Sequence, residues 1–337
     1  MDLYINEYGS RINLNNGVIT ISKEGKILKE IPLKKIGSLV IHSSVQITSQ
    51  AIAALSENGC SISWVNGVDK LICSTDCDNI GHVQRRKHQY RLTDNMRFRL
   101  SISKSIIISK LLSHCEVLRS CGASFHDIEE FEKFITASCK KCKKQNNYSS
   151  LRGIEGNCAN IYFRMIQKLL PEGFDFESRT RQPPQDEFNA LLSFLYSLLY
   201  NETSKLIRIK GLDPYAGFMH EIKNGHYALA SDIMEEFRYI CDITALTIAS
   251  SFNKDTDFSK DGVGVYLSAS GRAKSISAFK NFMNKECYYI DQIGYGNTVQ
   301  ECLKWQIDKI ADAVDSEHAK CFEPYISEKS YALRYSV

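Results

Sequence analysis

The sequence predicts an α+β protein: an N-terminal β-rich domain with one short helix, followed by a larger all-α C-terminal domain. Two observations carry this prediction. The first part of the chain alternates short apolar runs with tight turns, whereas from Arg85 onward apolar residues recur at the three- and four-residue spacing of helices. With 337 residues, the chain is long enough for two domains that each bury a core. We predict domains at 1–78 and 91–337, joined by a linker over 79–90.

Turn signals define the elements of the N-terminal domain. Asn16-Gly17 lies between two apolar runs and predicts a hairpin, because such turns need positive φ. Glu24-Gly25 and Asn66-Gly67 predict two further hairpins. Between them, Thr48 is a hydroxyl cap at the start of a short helix that ends at Asn58-Gly59.

Helical periodicity dominates the rest of the chain. Asp186 begins one helix directly after Pro183-Pro184, which is a typical start signal. The predicted helices cover residues 100–112, 128–137, 157–170, 186–200, 229–252, 275–284 and 298–314.

Composition indicates a globular protein of the cytoplasm, with 43% hydrophobic and 24% charged residues. No run approaches the ~18 apolar residues of a bilayer-spanning helix, and the acidic N-terminus does not resemble a secretory signal. We therefore expect no contact with a membrane. The twelve cysteines are scattered, which favours small buried thiols in a reducing compartment. Cys139 and Cys142 are too few ligands for a complete zinc site, although a local zinc clip is an alternative.

Positive charge is concentrated in one segment, although the net charge is only +3. Between Arg85 and Lys110, eight basic residues accompany a single acid, Asp94. Like charge at this density favours a nearby polyanion, whereas a solvated helix face is the alternative. The candidates for binding a DNA duplex are Arg85, Arg86, Lys87 and Arg91.

One histidine and several carboxylates in apolar surroundings predict the functional site. Asp232, Glu235 and Glu236 stand at i, i+3 and i+4, so a regular helix would place them on one face. The turn at 223–225 folds the chain back and brings His220 towards that face. An imidazole with carboxylates is a ligand set for a divalent metal in phosphodiester chemistry. The alternative is a solvated acidic face and a structural histidine.

Four motifs, taken together in order and spacing, resemble the CRISPR-associated protein one family, the integrase of CRISPR adaptation. They are Leu151-Arg-Gly-Ile-Glu-Gly, Arg181-Gln-Pro-Pro-Gln-Asp-Glu-Phe-Asn, Gly211-Leu-Asp-Pro with Gly217-Phe-Met-His, and Asp232-Ile-Met-Glu-Glu-Phe-Arg. The resemblance extends into the β-rich part, at Ile31-Pro-Leu-Lys-Lys-Ile and Ile47-Thr-Ser-Gln-Ala-Ile. Departures are small: Met219 stands where leucine is usual, and Glu236 where proline is frequent.

The resemblance implies specific roles for the site residues. Glu155, His220 and Glu235 would be the catalytic residues and would hold Mg²⁺ or Mn²⁺. Asp232 would support these ligands or act as an alternate ligand. Arg238 would contact a phosphate of the DNA. Asn189 and Tyr196 would orient DNA or support the site, with ordinary helix packing as the alternative for these two.

The resemblance also implies the reaction and the partners. The 3′-hydroxyl of a short DNA duplex, the spacer precursor, would attack a phosphodiester at the border of a CRISPR repeat. Besides double-stranded DNA, the expected partners are a second copy of the chain in a homodimer and the small CRISPR-associated protein two. Two alternatives remain: a general metal-dependent nuclease on branched DNA, with water as nucleophile, and a non-catalytic DNA-binding scaffold.

Overall fold

The computed structural model describes residues 2–5, 7–66, 71–75, 82–289, 294–327 and 333. The chain divides into two compact units, Met1–His82 and Val83–Val337. Strands form most of the first unit and helices most of the second, so the predicted fold class is confirmed.

The first unit contains two four-stranded sheets. Its strands are β1 (Asp2–Ile5), β2 (Arg11–Asn15), β3 (Val18–Lys23), β4 (Lys26–Pro32), β5 (Ser38–His42), β6 (Gln46–Ile47), β7 (Ser61–Val65) and β8 (Leu71–Thr75). One sheet has the order β1-β5-β7-β8, with only the β7–β8 pair antiparallel. The other has the order β4-β3-β2-β6, with only the β2–β6 pair parallel. Helix α1 (Ser49–Glu57) and a 3₁₀ turn (Leu33–Lys35) complete this unit.

Two of the predicted hairpins are confirmed by their backbone geometry. Asn16 and Gly17 both have positive φ, 47° and 76°, in the β2–β3 turn. Glu24 and Gly25 likewise have φ of 49° and 78° between β3 and β4. Strands β7 and β8 pair as predicted, although Gly67 of the intervening turn lies outside the described residues.

The second unit is built mainly from helices. They are α2 (Val83–Thr93), α3 (Met96–Ser120), α4 (Phe125–Lys144), α5 (Tyr148–Leu169), α6 (Glu187–Ile209), α7 (Ala228–Met234), α8 (Arg238–Ala249), α9 (Lys254–Asp257), α10 (Ala269–Met283) and α11 (Val299–Ser316). The unit also contains two short antiparallel hairpins and two 3₁₀ turns. These are β9 (Phe258–Lys260) with β10 (Val265–Leu267), β11 (Glu286–Tyr289) with β12 (Gly294–Thr298), and the turns Glu235–Phe237 and Ala319–Cys321. The all-α prediction for this part did not include the hairpins.

Helix α2 occupies much of the stretch that the sequence predicted to be a linker, 79–90. Within α2 only Gln89 and Leu92 are buried, so the apolar signal that defines a helix start is weak here, although helical spacing was expected from Arg85 onward. Residues 76–81 lie outside the described part of the chain.

Helix α3 forms the centre of the second unit and is buried along most of its length, on all sides. It packs against α4, α5, α8 and the 3₁₀ turn Glu235–Phe237. Polar side chains on its central turns, including Lys110 and His114, are therefore buried and must find partners inside the protein. Among the described residues, no helix has the length and apolar character needed to cross a bilayer.

Candidate active site

Two of the predicted metal ligands, far apart in the sequence, meet at one buried cation. Glu155 comes from α5 and Glu235 from the 3₁₀ turn between α7 and α8. The Lys110 ammonium, on α3, lies 2.8 Å from Glu235 Oε2 and also donates a short hydrogen bond to Glu155 Oε1. The Lys110 side chain is only 9% exposed, so its charge depends on these two carboxylates.

Glu235 has a second cationic partner, Arg238, whose Nη1 donates to Oε1 at 2.8 Å. Burial alone would raise the pKa of Glu235, but Arg238 and Lys110 outweigh it and hold that pKa far below its usual range. The carboxylate is therefore ionised at neutral pH. Its Oε2 is buried and has no well-directed hydrogen bond, even though Lys110 Nζ lies close to it.

His220 is held by Asp232 in the manner that a metal-binding imidazole requires. His220 Nδ1 donates to Asp232 Oδ1 at 2.8 Å. This bond leaves Nε2 as the ring nitrogen that can act as a ligand. Asp232 also accepts the backbone N–H groups of Phe218, Met219 and His220, at 2.5, 2.9 and 2.8 Å. Because its oxygens are already occupied, this geometry favours the supporting role for Asp232 over that of a direct ligand.

The charge of Asp232 also changes the acidity of the imidazole. Burial lowers the pKa of His220, but the hydrogen bond and the negative charge of Asp232 outweigh this effect, so the pKa is raised. Glu235 raises it further and Lys110 lowers it. His220 thus lies within the electrostatic field of the Glu155–Lys110–Glu235 cluster.

The three acids that a regular helix would place on one face have separate environments. Asp232 faces the loop before α7, and Glu235 faces Lys110. Glu236 is fully buried and accepts the backbone N–H of Tyr325 at 3.1 Å. The predicted continuous helix over 229–252 is interrupted by the 3₁₀ turn at Glu235–Phe237. Consecutive residues point about 100° apart in an α-helix and about 120° apart in a 3₁₀ turn, so Glu235 and Glu236 face different surroundings.

The donor types suit a divalent cation, but Glu155 and Glu235 are gathered around Lys110 and do not form a ready ligand set with His220. Among the residues that the structure describes, no three histidine, cysteine or acidic side chains stand close enough together to hold a metal ion. Glu155 and Glu235 nevertheless converge on one positive charge, one Glu235 oxygen lacks a well-directed hydrogen bond, and His220 Nε2 is oriented by Asp232. Carboxylate oxygens with one imidazole suit Mg²⁺ or Mn²⁺.

A buried network fixes Arg238 behind the carboxylates. Its guanidinium stacks 4.2 Å from the ring centroid of Tyr196. The Tyr196 hydroxyl donates to Asp242, which also accepts the hydroxyl of Tyr162 at 2.7 Å. Tyr196 and Asp242 are both buried. The placement of Tyr196 favours support of the site over direct contact with DNA.

Asn189 is likewise placed to hold the protein together. It is fully buried, accepts from Arg179 Nη1 at 2.7 Å and donates to the carbonyl of Ser178 at 2.8 Å. Its position therefore favours a structural role in packing over contact with DNA.

The basic residues of α2 differ in whether an acidic side chain pairs with them. Arg85 forms an ion pair with Asp315 at 2.5 Å, and Arg91 pairs with Glu317 at 2.6 Å. Arg86 and Lys87 are exposed on the same helix. Of the predicted DNA-binding stripe, these two have the placement that suits a phosphate contact.

Sequence reasoning missed the central role of Lys110, which it counted as one member of the basic segment. The available signal was its position, because Lys110 is the single charge in the apolar run 106–112. A cation in such a run is buried on a central helix and needs carboxylate partners. Asp242 and Tyr162, which hold Tyr196, were also missed.

Cys139 and Cys142, the candidates for a local zinc clip, are buried thiols on α4. Burial raises the pKa of Cys142 to about 12, so the thiol is neutral at physiological pH. This environment favours the structural interpretation of Cys139 and Cys142.

Sequence comparisons connect this chain to known proteins. The family model for CRISPR associated protein Cas1 matches residues 3–281. A CRISPR-associated endonuclease Cas1 of Mycobacterium tuberculosis is 28% identical over 322 residues, covering 94% of this chain and 95% of that protein. A Cas4 exonuclease/Cas1 endonuclease fusion of Leptospira interrogans is 32% identical over 295 residues. This match covers 82% of the chain but 54% of the fusion, so the chain spans about half of that relative's length.

Solved structures share the fold. A casposase bound to an integration product superposes with a TM-score of 0.82 at 23% identity, covering 98% of this chain and 94% of that one. A Cas1 protein from Thermotoga maritima gives 0.76 at 22% identity, with coverages of 93% and 96%. A chain of a Cas6-RT-Cas1–Cas2 complex gives 0.77 at 24% identity, covering 96% of this chain and 36% of that one.

Proposed function

This chain belongs to the Cas1 family of CRISPR-associated proteins, and we propose that it is a metal-dependent DNA integrase and endonuclease. In the proposed reaction, the 3′-hydroxyl of a short duplex attacks a phosphodiester at the border of a CRISPR repeat. The observation that supports this most directly is the convergence of Glu155 and Glu235 on one buried positive charge, whose electrostatic field reaches the imidazole that Asp232 orients.

Each site residue has a role in this proposal. Glu155, Glu235 and His220 Nε2 would hold Mg²⁺ or Mn²⁺. When bound, the cation supplies positive charge that stabilises the phosphodiester during attack. Asp232 keeps the proton of His220 on Nδ1 and fixes the direction of the ring. Arg238 keeps Glu235 ionised and in place.

The reaction is a transesterification, in which one phosphodiester replaces another. Little bond energy is lost, so no nucleotide cofactor is needed. The exposed side chains of Arg86 and Lys87 on α2 provide positive charge for the phosphate backbone of a duplex.

The relatives support a DNA substrate and a Cas2 partner, whereas the homodimer rests on the family resemblance alone. Structures with this fold include a casposase with an integration product and a Cas1–Cas2 complex. We therefore propose that the chain acts on double-stranded DNA in the cytoplasm, as a homodimer that associates with a Cas2 subunit.

A plasmid-joining assay tests the proposal with two neighbouring substitutions. Short duplexes are incubated with a supercoiled plasmid that carries the repeat. Glu235→Gln removes a charged ligand and is expected to reduce joining about a hundredfold or more, because loss of an outer partner alone costs roughly 10–100-fold. Glu236→Gln is the matched control: this carboxyl faces Tyr325, and burial raises its pKa well above the usual range. The neutral amide should therefore preserve joining.

Two results would contradict the proposal. Joining that continues in a chelator would exclude the metal, and joining that is unchanged in Glu235→Gln would exclude this site. Metal-dependent cleavage of branched DNA without any joined product would instead favour the general nuclease.

A further inference from the structure

Lys110 is a buried cation at the position where the proposed metal site needs positive charge. Its ammonium contacts both carboxylates that would hold the metal, Glu155 and Glu235. Its side chain is 9% exposed and that of Glu235 is 8% exposed, so water compensates little of either charge. The two carboxylates are close together because Lys110 lies between them.

The charges of the cluster already balance without a metal. Glu155 and Glu235 contribute two negative charges, and Lys110 and Arg238 contribute two positive charges. A divalent cation would add two further positive charges beside Lys110. Two positive charges that contact the same carboxylates in a poorly hydrated site repel each other strongly. The ammonium and the cation therefore compete for the same oxygens.

The protein can release Lys110 but not Arg238. Arg238 is buried, stacks on Tyr196 and has one carboxylate partner at 2.8 Å. Lys110 is a compact charge on a flexible four-carbon stem, so its ammonium can turn away while α3 stays in place. The neighbouring Ser109 anchors the α3 backbone through a short hydrogen bond to the carbonyl of Tyr325.

We propose that Lys110 is a built-in counter-cation: it holds Glu155 and Glu235 together before metal binds and leaves its place to the divalent ion. This inference rests on the proposed function, because it takes those carboxylates as the metal ligands. It assigns Lys110 as a positioning residue that sets the metal affinity of the site.

The test is Mn²⁺ binding by the full chain. Free Mn²⁺ is measured by its electron paramagnetic resonance signal during a titration. Lys110→Met removes the competing charge and is expected to bind Mn²⁺ at least about tenfold more tightly than the wild-type chain. Lys110→Met should also melt at a lower temperature without metal and recover when Mn²⁺ is added. Lys104→Met is the matched control on the same helix, because the Lys104 ammonium donates to the carbonyl of Lys143 rather than to a carboxylate. Its Mn²⁺ affinity should match wild type.

A second variant keeps the experiment decisive if Lys110→Met does not fold. Lys110→Arg retains the charge in a larger group that is harder to displace, so Mn²⁺ should bind more weakly than to wild type. If the wild-type chain binds Mn²⁺ and Lys110→Met binds it equally or more weakly, the inference is overturned and the proposed function stays intact. Lys110→Arg binding as tightly as wild type also overturns it. No Mn²⁺ binding by either wild type or Lys110→Met overturns both.

Discussion

At the scale of single residues, His114 shows how burial near the site controls ionisation. Its ring stacks on Tyr162 with centroids 3.8 Å apart and an interplanar angle of 5°. Its Nδ1 is buried without a hydrogen bond. Burial lowers the pKa of His114 well below its usual value, and the charges of Lys110 and Arg238 lower it further. The imidazole is therefore neutral in the folded protein.

This depressed pKa predicts a loss of stability in acid. As the pH falls through about 6.5, His114 becomes protonated in the unfolded chain but stays neutral in the folded chain. The free energy of unfolding should then fall by up to about 1.4 kcal/mol per pH unit from this group. His114→Phe, which keeps an aromatic ring on Tyr162, should show a shallower fall between about pH 6.5 and pH 5 in urea titrations.

The exposed His126, at the start of α4, supplies the control. His126→Gln removes an exposed ring and is measured beside His114→Phe and wild type in the same urea titrations. A His114→Phe variant with the same slope as wild type would contradict the assigned burial effect.

At the scale of elements, the loop before α7 reaches the site by passing very close to that helix. A Cβ on Gly217 would lie 2.7 Å from the carbonyl carbon of Ala228 and 2.9 Å from Asp232 Oδ2. Both distances are shorter than real Cβ contacts allow. Glycine at 217 is what lets the loop approach α7 closely enough for Asp232 to accept three backbone N–H groups.

Gly217→Ala should therefore destabilise the protein. Relieving the overlap requires the loop to move from Asp232, and overpacking of this kind costs about 1–3 kcal/mol. The midpoint of thermal unfolding is the measurement. Gly153→Ala on α5 is the control, since a Cβ there meets nothing within 4 Å, and it should stabilise the helix by about 0.5–1 kcal/mol. Equal melting of Gly217→Ala and wild type would show that the loop is not restrained here.

At the scale of the second unit as a whole, α2 is attached to distant elements by polar contacts. Arg85 binds Asp315 and also donates to the carbonyl of Lys210. The Gln89 side-chain amide donates to the carbonyls of Asp213 and Ala216, at 2.8 Å each. One side of the helix thus holds the unit together, and Arg86 and Lys87 face solvent.

The two sides of α2 should therefore respond differently when their basic residues are replaced. The double variant Arg86→Ala/Lys87→Ala should weaken binding to duplex DNA and reduce the slope of log affinity against log salt by up to about 2, since each phosphate contact contributes roughly 0.9. Arg85→Ala should leave the slope unchanged and lower stability by about 1 kcal/mol. Affinities measured over a series of salt concentrations give the slopes. A reduced slope in Arg85→Ala alone would place the duplex on the other side of the helix.

Predictions that depended on short stretches of sequence agree best with the structure. The turn at Asn16-Gly17 was predictable because positive φ is a property of those residues themselves. His220 was expected near Asp232 because a turn only a few residues away reverses the chain, and the two side chains do form a hydrogen bond. The start of helix α2 was not predicted, since few of its residues are buried and residues up to 90 were assigned to a linker, although helical spacing was expected from Arg85 onward.

By itself, the sequence determined the fold class and most helices, and the resemblance of its motifs named the carboxylates and imidazole of the proposed chemistry. Only the tertiary structure decided where their charges are compensated. In the sequence, Lys110 is one of eight basic residues in its segment. In the structure, the packing of α3, α5 and the 3₁₀ turn places it between Glu155 and Glu235. The physical reason is that turns and helices follow from local conformational preferences, whereas the partner of a buried charge is chosen by packing between segments that are distant in the chain.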